Sequence, residues 1–328
     1  VGVARGRVAV IDGPPPAGVL AETRLALDGA RARLAAALRA GMPGEAGAFA
    51  AAVVTGDRAA LPAEALQALR DSNLAHLLAI SGLHMAIVAG MTFYVTRLGL
   101  ALVPGLALRR PIRAWAALAG LAAATAYLGV SGASVATQRA YVMAATAFLA
   151  LTLGRPAVTL RALALAALVV LALAPESVLQ VGFQMSFAAT LALVAAYEAV
   201  RAQGWPAPQP GLWRRLGRYA AGVAATSLIA GLATAPFAAF HFNRTTSFGL
   251  LANLAAVPAM GLVVAPALAL AGLLAPFGLA GPALSVAQAG IDWILAVARF
   301  VAGLPGAARA VPAAPGAALW GVALGGLW

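Results

Sequence analysis

The sequence predicts an all-α polytopic membrane protein of about eight to nine transmembrane or re-entrant helices. The chain of 328 residues is 62% hydrophobic, with a mean hydropathy of +0.91. Only 10% of its residues are charged, whereas about 25% is typical of a soluble domain. Apolar runs long enough to cross a bilayer recur along the chain. They are rich in Ala, Leu and Val without strict alternation, which favours helices over a membrane β-barrel.

The predicted spans fill most of residues 73–328. They cover residues 75–98, 113–130, 135–153, 158–174, 179–200, 217–240, 248–275 and 283–303, with an incomplete span from 316. The run at 248–275 contains Pro258 and Pro266, and it fits either one long kinked helix or two re-entrant half-helices. The two interpretations give opposite orientations to everything that follows.

Arginine marks alternate loops of the predicted membrane domain. Residues 73–328 contain 14 arginines and three acidic residues, a net charge of +11. Most of these arginines follow the first, third and fifth spans, namely Arg97, Arg109, Arg110, Arg113, Arg155, Arg161, Arg201, Arg214, Arg215 and Arg218. The positive-inside rule therefore predicts a multi-pass protein of the inner (plasma) membrane with residues 1–72 on the outer, periplasmic or extracellular, side. An anionic substrate could explain part of the same charge.

Residues before the first span are more polar. Residues 1–13 alternate as a strand, and Pro14–Pro16 form a stiff linker. We expect residues 14–72 to contain this linker and amphipathic helices on the outer face. The helix over 18–40 fits either the membrane interface or a surface packed on a soluble domain. Residues 73–328 are expected to form the transmembrane domain, which looks truncated at its C-terminus.

The first polar cluster lies inside the first span and contains His76, Ser81, Gly82 and His84. Polar groups at membrane depth cost free energy unless they face a partner, a cavity or a substrate. Helical periodicity places Ser81 and His84 on one face. The alternative is a packed helix whose histidine bonds a neighbouring carbonyl.

The second cluster is a Gly/Ser turn at 129–134 that opens a helix carrying Gln138 and Arg139. Free N–H groups at a helix start attract anions, and an arginine there can bind a phosphate through two nitrogens. The alternative is an arginine that extends to lipid headgroups.

Two further clusters interrupt later spans. Gln184 and Ser186 lie within residues 176–187, where the alternative role is hydrogen bonding between helices. Residues 236–258 contain His241, Arg244, Asn253 and Pro258. A buried amide five residues before a proline predicts an irregular helix, which membranes tolerate only against protein or a water-filled cavity.

Five motifs in these regions together resemble the ComEC family of competence proteins. They are TGDRAAL, AHLLAISGLHM, SGASVATQRAYVM, VGFQMSFAAT and HF…LLANLAAVP, in the order of the family, over residues 55–258. The resemblance implies a transmembrane channel that translocates single-stranded DNA across the inner (cytoplasmic) membrane during natural transformation. It also implies a periplasmic DNA receptor and a cytosolic ATPase or DNA-binding protein as partners, besides the lipid bilayer.

From these motifs and clusters we infer positions along the DNA path, and the family motifs do not fix their individual roles. They are His76, Ser81, Gly82, His84, Gln138, Arg139, Gln184, Ser186, Arg244, Asn253 and Pro258, with Asp57 and Arg58 as a motif of the outer face. Residues 1–13 would be the end of a preceding OB-like domain. We expect no metallo-β-lactamase-like nuclease domain, which is typical of the family, because the three scattered histidines form no HxHxDH cluster. We therefore expect no catalytic residue, metal or cofactor in this chain.

Two other functions remain open from the residues alone. Gly129-Val130-Ser131-Gly132 fits the GxSG motif of a rhomboid-type intramembrane serine protease, with His84 or His241 as base. A small-solute or lipid transporter would show an internal repeat, and none is visible. A DNA strand carries one charge per nucleotide and cannot enter hydrocarbon, so spaced arginines among neutral polar groups fit the channel best.

Overall fold

A computed structural model describes residues 18–78, 82–204, 211–312 and 315–327 of the chain. Helices dominate these residues, and one short two-stranded sheet joins two loops. The α-helices are α1 (Val19–Gly41), α2 (Glu45–Thr55), α3 (Ala63–Asp71), α4 (Ala75–Leu78), α5 (Gly82–Ala101), α6 (Pro104–Arg109), α7 (Ile112–Val130), α8 (Val135–Thr152), α9 (Leu160–Leu173), α10 (Val181–Gln203), α11 (Leu212–Phe242), α12 (Gly249–Ala259), α13 (Ala265–Leu274), α14 (Ala280–Ala302) and α15 (Gly316–Leu327). The strands are β1 (Arg244–Thr246) and β2 (Ala308–Ala310).

Five helices in the described ranges are long and apolar enough to cross a membrane. They cover Ile112–Val130, Val181–Gln203, Leu212–Phe242, Gly249–Phe277 and Ala280–Ala302. The prediction of a helical membrane protein is thus confirmed, whereas the count of eight to nine spans stays a prediction. α5, with 20 residues, and α8, with 18 residues, are not among these five helices. α9 has only 14 residues.

The segment around Pro258 is one continuous helix. α12 runs into a π-helical turn at Met260–Val264, and α13 follows without a break. Pro258 has no N–H to donate, and a π turn is a common way to accommodate such an interruption. Gly290 of α14 provides room for the turn, since a Cβ there would lie 2.7 Å from Cγ2 of Val264. The structure therefore favours one long helix over two re-entrant halves.

Two buried apolar clusters hold the helices together. The larger packs α1–α4 against α12–α14 and includes Met42, Phe49, Leu69 and Ile291, all fully buried. The smaller joins α5, α7 and α8 through Met85, Ala89, Ala124 and Ala140. Gly120 of α7 permits this packing, because a Cβ there would lie 2.9 Å from the carbonyl oxygen of Ala89.

The helices before the first predicted span are more deeply packed than the sequence indicates. α1 and α3 each bury one side, as expected of amphipathic helices. α2 instead buries nearly every residue, because its alanines and Phe49 fit between α1, α4 and α14. The predicted strand at 1–13, the linker Pro14–Pro16 and Ser81 lie outside the described residues.

The loops at one end of the bundle contact each other. We call this end the site end, because it carries the candidate functional site described below. β1 after α11 pairs antiparallel with β2 after α14, with Arg244 opposite Ala310. Arg244 also forms an ion pair with Asp71 at the end of α3. Arg31 of α1 donates to the carbonyl of Thr55 at 3.0 Å and its guanidinium packs against Gly132 after α7. The arginine-rich loops after α5, α8 and α10 lie at the opposite end, where the Leu160 N–H donates to Glu198 at 3.1 Å.

Candidate functional site

Arg139 is the central cation of the site end. It lies one turn inside α8, whose start is capped by Ser134 accepting from the N–H of Thr137 at 3.3 Å. The Arg139 side chain crosses to α10 and packs against Gly182, where a Cβ would come within 2.7 Å of Nη2. A residue larger than glycine at position 182 would therefore displace the guanidinium. Arg139 itself is only 7% exposed.

A pocket of about 210 Å³ lies beside Arg139. It is smaller than the roughly 300–1,000 Å³ of sites that enclose a drug-sized ligand. Its polar lining comes from Gln138, Arg139, Ser177 and Gln180, with Glu176 also present. Among the described residues, Nε of Arg139 has no hydrogen-bond partner, and none of their carboxylates forms an ion pair with it. A buried guanidinium that forms no ion pair attracts an anionic group strongly.

Gln184 and His241 bring the third and fourth clusters together. Nε2 of His241 donates to Oε1 of Gln184 at 2.7 Å, and Nε2 of Gln184 donates to the carbonyl of Val178 at 3.0 Å. The amide thus ties α10 and α11 to the 3₁₀ turn Pro175–Leu179, which also carries Ser177 of the pocket. Ser186 lies half-buried farther along α10. This network fixes the wall of the Arg139 pocket.

The remaining residues of the fourth cluster lie along α12 and the loop before it. Arg244 faces Asp71, as described above, and both side chains are partly buried. Asn253 is 8% exposed, and its Oδ1 accepts no hydrogen bond from the described residues. Pro258 lies within α12, before the π turn. The expected irregular helix is therefore present at this position.

The first cluster does not line the Arg139 pocket. His84 is buried in α5 at 3% exposure, and Gly82 begins that helix. His76 is exposed in α4, with Nδ1 2.9 Å from the carbonyl oxygen of Asn73. Since Ser81 is outside the described residues, the face predicted to join it to His84 remains a prediction.

The Asp57 motif forms a polar turn next to α1. Asp57 accepts a hydrogen bond from Nη1 of Arg39 at 2.7 Å and one from the N–H of Ala59 at 3.1 Å. The bond from Arg39, followed by the one from Ala59, holds the pKa of Asp57 below its ordinary value of 3.8. Arg58 is exposed. Through Arg31, this turn is connected to the Gly/Ser turn before α8.

Ser131 does not have the environment of a nucleophile. It is buried, and its hydroxyl donates to the carbonyl of Leu128 at 3.0 Å. His241, one of the two candidate bases, is bonded to Gln184 instead. A serine protease needs its nucleophile within hydrogen-bond reach of a base, so the structure gives the protease alternative no support.

Comparison with known proteins places these motifs in one family. A family model described as "Competence protein" matches residues 53–328. The chain belongs to the competence protein family. The ComEC-type identity predicted from the five motifs is thereby confirmed, and all but the first 52 residues lie within the match.

Two curated competence proteins are similar to the chain. "Competence protein ComA" of Neisseria gonorrhoeae is 38% identical over 146 residues, covering 44% of this chain and 20% of that protein. "ComE operon protein 3" of Bacillus subtilis (strain 168) is 28% identical over 225 residues, covering 68% of this chain and 26% of that protein. The matches thus span about a quarter or less of these relatives. No solved structure matches the chain.

Several residues of the site are missing from the sequence-based set. Asp71 and Arg31 lie before the first predicted span, and nothing in their local pattern indicates a contact far along the chain. Gly182 could have been found from the sequence, because a glycine inside a helical pattern often marks a position where another group packs closely against the backbone. His241 lies within a recognised motif, but its partner on another helix is visible only in the structure.

Proposed function

We propose that the chain forms part of a channel that carries single-stranded DNA across the inner membrane during natural transformation. The pocket around Arg139 is the site that receives a backbone phosphate at the outer end of this channel. One observation carries the proposal: in a competence-family protein, a buried arginine that forms no ion pair with a described residue lies beside a pocket of which half the lining residues are polar. A small-solute transporter has no comparable support among the observed contacts.

The surroundings of Arg139 suit a phosphodiester. The guanidinium can donate two parallel hydrogen bonds to phosphate oxygens, and Gln138, Ser177 and Gln180 add neutral polar groups. Glu176 in the same pocket limits the affinity for anions, since its carboxylate repels a phosphate. A conducting path requires binding that is weak enough for release. A single arginine balanced by one acid therefore fits passage better than tight storage.

The orientation of the bundle supports the same direction of transport. The arginine-rich end contains the loops that the positive-inside rule assigns to the cytoplasm, which would place the site end and residues 18–72 outside. A periplasmic DNA receptor would then deliver the strand to the Arg139 pocket. Gln184, Ser186, Arg244, Asn253, His84 and His76 would provide the other contacts to the strand, and a cytosolic ATPase or DNA-binding protein would receive it. We assign no catalytic step to this chain.

A transformation assay with separated steps tests the proposal. Cells that carry Arg139→Gln are given labelled DNA, and label on the surface is measured apart from nuclease-resistant label in the cytosol. Loss of a charged hydrogen bond costs about 1.5–3 kcal/mol, so we expect cytosolic label to fall about tenfold or more with surface label unchanged. The matched control is Arg155→Gln, an exposed arginine at the opposite end. Equal import by both variants and the wild type would overturn the assignment.

A further inference from the structure

Asp292 is a carboxylate in the middle of a membrane-spanning helix. α14 packs one side against α2, α3, α12 and α13. That side is formed by Ala283, Ala287, Gly290, Ile291, Ile294, Leu295, Ala298 and Val301. Asp292 lies on the opposite, exposed side, midway between Ala280 and Ala302. Ionisable residues at this depth usually face a partner or an aqueous cavity, because hydrocarbon does not solvate them.

The charge of Asp292 is not balanced within the described part of the chain. Arg299, two turns farther along the same side of α14, forms an ion pair with Glu45 of α2. Asp292 has no ion pair or hydrogen bond with any described residue. The exposed side of α14 therefore carries one cation that is neutralised, Arg299, near its end and one carboxylate without an ion-pair partner, Asp292, at its centre.

The shape of this side fits another helix. Ser285, Ala289, Asp292, Ala296 and Arg299 follow the alternating four- and three-residue spacing of a helix–helix seam. The two alanines permit a close approach of backbones. A ridge of exposed large residues, Val286, Trp293 and Phe300, runs beside the seam. Trp293 is anchored, because its indole N–H donates to the carbonyl of Ala255 at 3.0 Å.

We infer that this seam of α14 docks a further transmembrane helix that presents a cationic side chain to Asp292. Charge decides between the candidate occupants. A parallel second copy of the chain would bring Asp292 against Asp292 at the same depth, and like charges in a membrane repel. α15 has no charged residue to offer. The occupant is therefore a transmembrane helix of a partner protein with Arg, Lys or His at mid-depth.

Spin-label accessibility tests the docking. The chain contains no cysteine, so Ala289→Cys gives a single labelling site on the seam, and Leu273→Cys on the exposed side of α13 gives the lipid-facing control. The tagged protein is extracted from its native membranes in polymer nanodiscs that retain its neighbours. We expect the label at 289 to be several-fold less accessible than the control to oxygen, and inaccessible to a water-soluble nickel reagent. High accessibility to oxygen, or to nickel, would overturn the proposal in favour of lipid or water.

A second variant tests the cation. Asp292→Asn, combined with Ala289→Cys, retains size and hydrogen bonding while removing the charge. We expect oxygen accessibility at 289 to rise several-fold towards the control as the partner helix dissociates, whereas Ser285→Ala should leave it unchanged. A seam that stays covered in the Asp292→Asn variant would refute the cationic partner. These readouts do not depend on DNA import. The docking proposal can therefore be refuted without refuting the channel proposal, and the reverse also holds.

Discussion

Arg139 and Gly182 meet across α8 and α10, with the guanidinium of Arg139 lying where a side chain at position 182 would otherwise be. The contact joins two motifs more than 40 residues apart in the chain, about the distance expected for helices that alternate across a membrane. It leaves the cation buried beside a polar pocket of about 210 Å³. The position of the guanidinium therefore depends on the absence of a Cβ at residue 182.

Gly182→Ala should impair DNA import without weakening the fold. Alanine favours a helix over glycine by about 1 kcal/mol, so the thermal unfolding temperature of the purified protein should not fall. The new Cβ would lie 2.7 Å from Nη2 and push the flexible guanidinium aside. We expect import of labelled DNA to drop several-fold.

The matched control for this change is Gly231→Ala in α11, where a Cβ meets nothing within 4 Å. It should gain the same helix propensity and leave import unchanged. Equal import by the two alanine variants would mean that the Arg139–Gly182 contact has no part in transport.

The hydrogen bond between His241 and Gln184 should couple α10 to α11. Each single variant, His241→Phe and Gln184→Leu, leaves the other polar group partly buried without its partner, which costs about 1–3 kcal/mol of unfolding free energy. The double variant should lose less than the sum of the two single losses. Denaturant unfolding of the four proteins measures the difference, and strictly additive losses would argue against the bond.

The ion pair between Asp71 and Arg244 should fasten the β1–β2 loop to α3. Both partners are less than one-third exposed, so we expect Asp71→Asn to lower the unfolding free energy by about 1 kcal/mol. The variant with exchanged charges, Asp71→Arg with Arg244→Asp, should have a higher unfolding free energy than the single variant Arg244→Asp, because the ion pair is restored. If the exchanged pair is no more stable than Arg244→Asp alone, the pair does not hold the loop.

Asp57 should make stability depend on acid pH. Its pKa is lowered in the folded protein by the hydrogen bond from Arg39, so its contribution is fully present above the unfolded value near 3.8 and disappears as pH falls through the folded value. Thermal unfolding of wild type and Asp57→Asn is compared from pH 7 down to pH 2.5. The wild type should be more stable at neutral pH, and the gap should close only below about pH 3.8. A gap that is the same at every pH would exclude this ionisation as its cause.

Sequence reasoning predicted the helix positions well because hydropathy and arginine distribution act locally. Most predicted spans have a helix at their position, with ends displaced by a few residues. The first, predicted at 75–98, corresponds to two helices, α4 and α5, on either side of residues 79–81, which lie outside the described residues. The sequence did not decide whether residues 248–275 form one kinked helix or two re-entrant half-helices, since the two prolines are compatible with both. The structure was needed to distinguish them. The burial of α2 could not be predicted either, because the mostly small apolar residues between Glu45 and Thr55 have no face that local periodicity can assign.

The assembly of the candidate site could not be predicted from the sequence. The motifs with Arg139 and Gln184 were recognised separately, but the pocket beside Arg139 depends on how α8 and α9 pack against the turn Pro175–Leu179, and Gln184 bonds that turn without lining the pocket. His84 and His76 were expected on the same path, yet neither lines that pocket. Long-range pairs such as Asp71 with Arg244 leave no trace in local sequence.

Photocrosslinking to a DNA strand during import tests the central claim most directly. A benzophenone amino acid replaces Gln138 in the pocket, and the control replaces Leu165 on the exposed side of α9. Cells that carry either protein take up radiolabelled DNA and are irradiated while import proceeds. The channel proposal predicts labelled protein from position 138 and none from position 165. Import at the normal rate with no crosslink at position 138 would contradict it.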